Sequence, residues 1–253
     1  MSQYDRIAQS LTDSLKLRLP PVAVCFSDAP PESIPVHQGK ASAGCQFWQE
    51  GAANAFQTSA QDHETCVIGM HTHHMPFTSK AQETDLNDAL KVFADLGYVR
   101  PQDLPNIPVL KKESKHVVYA PLASTPLPPD AVLLFAHSQQ GLIITEAIQQ
   151  VEPETPPALG RPACAIVPQV VNSGKAALSL GCCGARAYLD ALSDDVALWA
   201  LPGAKIAEYA ERIEALAKAN AILEQFHTLR RKDIEGGMIP SIQQSLARLQ
   251  AAG

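Results

Sequence analysis

HVVYAPLASTPLPPDAVLLFAHSQQGLIITEAIQQ, residues 116–150, decides how the chain is read. HVVYAPL and AVLLFA are short, apolar and rich in β-branched or aromatic residues, which suits buried strands. A proline-rich turn separates them. HSQQGLIITEAIQQ can then form a helix that returns across the sheet.

The alternation extends to both sides. Residues 3–18 read as an amphipathic helix stopped by Pro20 and Pro21, and residues 22–26 follow as a strand. DAPPESIPVHQGK is a proline-rich loop, and residues 43–56 have helix-compatible composition. From Thr84, TDLNDALKVFADLGYV places Leu86, Leu90, Phe93 and Leu96 at helical steps before a stop at Gly97. Further on, RPACAIVPQVVNSG predicts a helix opened by Pro162, KAALSLG and DVALWALPG predict strands, and KIAEYAERIEALAKANAILEQFHTL predicts a long helix. Its stripe is Ile206, Tyr209, Ile213, Leu216, Leu223 and Phe226. The expected class is α/β, a mixed sheet with flanking helices. The alternative is α+β, because several strand pairs are close enough in sequence to be antiparallel. One domain over residues 1–253 with C-terminal helices is expected, with a possible subdivision at 152–162.

With 46% hydrophobic and 18% charged residues, the chain can build a sizeable core. Net charge is −6 and no basic stripe is present, which argues against a nucleic-acid partner. No run of about 18 apolar residues offers a membrane span, and the opening segment lacks the apolar stretch of a signal peptide. The expected location is the cytoplasm and the expected partner a small molecule or a redox protein.

Six cysteines in such a compartment are ligands, nucleophiles or core residues rather than disulfides. Cys25, within PVAVCF, reads as a core residue. In LSLGCCGARAYL, residues 178–189, glycines frame Cys182 and Cys183 and would let backbone approach a compact ligand. Arg186 could lower the pKa of a neighbouring thiol, or balance an anionic centre, or simply pair with a carboxylate. In HTHHM, residues 71–75, His71 and His73 would share one side of an extended segment, with His74 on the other. The plainer reading is a solvent loop. His63 carries less weight, and His37, His116, His137 and His227 read as ordinary polar or capping residues. No phosphate-loop, dinucleotide or serine-hydrolase motif is present.

LPPVAVCF, GCQFW, CVIGM, PDAVLLFA, GRPACAIVP and LSLGCCGAR occur in an order that resembles the domain-of-unknown-function 169 family of prokaryotic proteins. The resemblance covers about residues 15 to 215. It implies a shared site at Cys45, Cys66, Cys164 and Cys182, whereas Cys25 and Cys183 depart from the family pattern. Thiolate sulfur selects zinc or an iron–sulfur cluster over hard cations. Cys45 and Cys66 are 21 positions apart and Cys164 and Cys182 are 18 apart, with no C-x-x-C, so the paired spacing of structural zinc is missing. A [4Fe–4S] cluster on these four cysteines is the leading expectation, in electron transfer or small-molecule redox or sulfur chemistry, as an oxidoreductase or lyase if an enzyme. Cys183, His73 and Arg186 are the candidate catalytic residues. The alternatives are a metal- or redox-sensing module holding zinc or a cluster, and a thiol protein without metal.

Overall fold

The computed structural model describes residues 2–153, 157–160 and 162–252. In chain order the elements are α1 (Gln3–Leu15), β1 (Val22–Ser27), α2 (Gln46–Gly51), β2 (Phe56–Ser59), α3 (Val67–Thr72), α4 (Glu83–Asp95), β3 (His116–Pro121), β4 (Ala131–His137) and α5 (Ser138–Val151). There follow β5 (Ala158–Leu159), α6 (Ile166–Ser173), β6 (Ala177–Ser179), α7 (Cys183–Tyr188), β7 (Val196–Pro202), α8 (Ile206–Glu235) and α9 (Ile242–Ala252). The class is α/β: one mixed sheet in the order β2-β3-β1-β4-β7-β6-β5, with helices on both faces.

The strands of the opening stretch form as expected, but they are not neighbours. β1 lies between β3 and β4 and pairs antiparallel with both, Val22 facing Pro121 on one side and Leu133 on the other. The proline-rich segment therefore passes the end of β1 instead of closing a hairpin. β5 and β6 form the parallel pair. Because β5 joins the same sheet, the described part of 152–162 belongs to the body of the fold; Glu154–Pro156 and Arg161 lie outside the described residues.

Strand side chains alternate between faces, and the core divides accordingly. Val22, Val24, Val117, Tyr119, Leu133, Phe135 and Leu198 face one layer, formed by α2, α3, α6 and α7. Ala23, Cys25, Val118, Val132, Leu134 and Trp199 face the other, where α1, α5 and α8 pack. Cys25 is thus a core residue on the far side of the sheet from the remaining buried cysteine, Cys45.

Two predicted stripes are only partly used. On α8, Ile206, Tyr209, Ile213 and Phe226 are buried, but Leu223 is 53% exposed. On α4, Leu86 alone is buried and Leu96 is 77% exposed, since α4 packs against short α3 rather than the sheet. The composition of residues 43–56 yields a six-residue helix and then β2, where Phe56 and Thr58 are buried.

Candidate functional site

Three of the four cysteines sit at N-caps. Cys45 precedes α2, Cys66 precedes α3, and Cys182 precedes α7 with its sulfur accepting the Ala185 N–H at 3.4 Å. Cys164 lies in a single 3₁₀ turn, Ala163–Ala165, that leads into α6. Gly181, at φ +87°, lets the chain turn into this cap, the freedom that its position beside the cysteine pair suggested.

The sheet brings these four segments together. Cys45 belongs to the core layer of α2, α3, α6 and α7, and Cys66, Cys164 and Cys182 pack against that layer. Each thiol lies within electrostatic reach of others. Burial pushes the Cys45 thiol up to about 12, and the charges of Cys66 and Cys182 act in the same direction. Cys164, partly buried, is raised well above the ordinary thiol range by burial, then by Cys66, with Cys182 and Cys45 adding and Thr72 opposing. Tyr119, wholly buried, is raised by burial and then by Cys45, Cys66 and Cys164. Cys45, Cys66 and Cys164 therefore share a neighbourhood with the Tyr119 phenol, and Cys182 joins it through Cys45 and Cys164. Without a positive centre, Cys45 and Cys164 stay protonated at neutral pH.

Two histidines complete this layer. His63 is fully buried and His73 is 1% exposed, with their ring centroids 5.9 Å apart. Burial holds the His73 imidazole down at about 4; it also lowers His63 well below the ordinary imidazole range, with the charges of His73 and His37 adding. His63 Nδ1, both ring nitrogens of His73 and the Tyr119 hydroxyl are buried without a hydrogen-bond partner. Such orphaned polar atoms mark where a ligand, ion or water belongs.

The extended reading of residues 71–75 is corrected by the fold. His71 is still in α3, His73 is its C-cap and His74 turns at φ +51°, so the three imidazoles diverge. His73 alone of the three is buried; His74 Nδ1 bonds the Leu110 carbonyl at 2.8 Å. Cys183 is exposed on the first turn of α7. The Arg186 guanidinium donates to the carbonyls of Leu180, Leu192, Ser193 and Val196, holding the loop around α7 rather than bonding a carboxylate or a thiol. Among the described residues, no group of three or more His, Cys, Asp or Glu side chains is posed to hold a metal ion.

His63 and Tyr119 are the members of this neighbourhood that sequence reasoning undervalued. The available signal for His63 was its place three residues before Cys66; Tyr119 looked like an ordinary strand residue and needed the sheet register to reveal its neighbours.

Fold and site together define a mixed α/β protein with a buried thiol and imidazole layer on one face of its sheet. The model of the DUF169 family, described as "Uncharacterised ArCR", matches residues 10–212, and the chain belongs to that family. No curated protein and no solved structure matches the chain. Among the described residues, no helix is long and apolar enough to cross a membrane.

Proposed function

We propose that Cys45, Cys66, Cys164 and Cys182 hold an iron–sulfur cluster, of the [4Fe–4S] type, and that the protein works in electron transfer or small-molecule redox chemistry. What supports this reading is that four cysteines from four separate segments line the same layer of the core, close enough to influence one another electrostatically. The residues fit the group in their chemistry: soft donors, an apolar enclosure and orphaned polar atoms beside them. Because the side chains are not already posed around a centre, loading has to draw them in, and binding free energy supplies that ordering. When bound, the cluster would supply one-electron chemistry at a potential set by its surroundings.

The chain's own residues have distinct tasks in this reading. Cys45 and Cys164 give up their protons on ligation, so loading weakens as pH falls. Phe47, Trp48 and Met70 keep bulk water from the thiols. His73, neutral at physiological pH, offers one donor and one acceptor nitrogen inside the layer. Cys183, exposed beside Cys182, stands where a small molecule or a redox protein could reach it.

Anaerobic reconstitution with iron and sulfide, followed by iron, sulfide and zinc analysis, tests the proposal. The expected result is a brown protein with about four irons and four sulfides per chain, the stoichiometry of a [4Fe–4S] cluster. Zinc without iron would redirect the reading to a structural or sensing module, and neither metal would end it.

A further inference from the structure

His63 carries an unusual combination: a fixed ring, a bare nitrogen and complete burial. Its Nε2 lies 3.0 Å from Thr58 Oγ1, and that hydroxyl donates its one hydrogen to the Val117 carbonyl at 3.2 Å. Thr58 can then only accept from His63, so Nε2 carries the proton and Nδ1 exposes a lone pair. That lone pair has no partner, and the ring is fully buried. A histidine whose far nitrogen donates into a hydroxyl and carbonyl relay has the arrangement that orients metal-bound imidazoles.

Its position gives the lone pair a direction. His63 closes a short 3₁₀ turn, and the Cys66 N–H donates to the His63 carbonyl at 2.8 Å. The result is a His-x-x-Cys unit, the close spacing by which paired ligands grip one centre and the one feature that the dispersed cysteines lack. Next to Cys45, the absence of a Cβ at Gly44 makes the room. A Cβ there would stand 2.9 Å from His63 Nδ1 and 3.9 Å from the Cys66 Cβ, so glycine is what lets both side chains come up to the backbone beside Cys45.

We infer that His63 Nδ1 is a metal ligand paired with Cys66, giving the centre mixed nitrogen and sulfur coordination. This rests on the reading of the thiol layer as a metal centre. It adds a fifth protein donor to four positions, so one thiol stays out of the coordination sphere. His63 binds without releasing a proton, because Nε2 keeps it, whereas each ligating thiol loses one.

The experiment is pulsed electron paramagnetic resonance on protein labelled with ¹⁵N-histidine, loaded in parallel with iron plus sulfide, then reduced anaerobically with dithionite to the paramagnetic one-electron-reduced cluster, and with cobalt(II) alone. Strong nitrogen coupling is expected with either probe, retained in His73→Ala and lost in His63→Ala. Should His63→Ala fail to fold, Thr58→Val keeps the ring, removes its acceptor and is expected to weaken cobalt binding roughly 10–100-fold; unchanged affinity would overturn the inference. An iron cluster without nitrogen coupling also overturns it, while leaving the cluster reading intact. Nitrogen coupling to cobalt in a protein that forms no iron cluster keeps His63 as a ligand and removes the cluster. Uptake of neither metal defeats both.

Discussion

On one face of the sheet α1, α5 and the first part of α8, helices of 13, 14 and 30 residues, pack apolar side chains over Val132, Leu134 and Leu201. On the other, α2, α3 and α7 are six residues each and α6 eight, and their starts carry or closely follow cysteines. Both layers bury large side chains. Among the described residues, only the second also encloses the imidazoles of His37, His63 and His73 and several thiols. Long helices bury more apolar surface per chain end, while short ones multiply the ends and so the places from which side chains can converge. The first layer is regular; the second trades regularity for converging helix ends.

The sharpest way to break this contrast is by cysteine. Cys66→Ser and Cys164→Ser are expected to lose bound iron, whereas Cys25→Ser, on the opposite face, keeps it; equal retention in all three, measured by metal analysis, would reject the division. A core truncation should separate the layers differently. Ile144→Ala on α5, fully buried, is expected to cost about 2–5 kcal/mol in denaturant unfolding. Its iron content per folded chain stays unchanged.

Acid sharpens the comparison next. The His73 imidazole drops from its ordinary 6.5 to about 4 on burial, so between those values the unfolded chain binds a proton that the folded chain refuses. Stability is full above 6.5 and falls as pH drops toward 4, by about 3 kcal/mol from His73. In metal-free protein, His73→Leu is expected to reduce that slope and not abolish it, because His63, also lowered well below its ordinary range by burial, contributes in the same direction. Arg186→Met should cost about 1–3 kcal/mol, since it abandons several loop carbonyls. Last, Leu96→Ser on the uncovered face of α4 should move stability by less than about 0.5 kcal/mol. A larger loss would mean that this face is covered.

The fold was legible where periodicity meets burial. β4 and β7 announce themselves because both faces are apolar, and α1 and the first half of α8 because one stripe is. β2 was hidden: four residues, FQTS, carry too little pattern to outweigh the helical composition before them. The order of the strands was hidden as well, because nothing local in VAVCF says that it will part β3 from β4. For the site, the family resemblance located the four cysteines, but the histidines needed the fold. Extended geometry would pair His71 with His73; the helix end separates them, and His73 instead meets His63 from ten residues upstream.

β1 has a further consequence in time. It leaves the ribosome early, yet Val22 pairs with Leu133 and Ser27 with His116. The central ladder must therefore wait for distant partners, and such non-local closure slows folding. Cys45 and Cys66 are made during that wait, unsheltered, and Cys164 and Cys182 come later still. The first two thiols are therefore on the chain before the strands that will cover them.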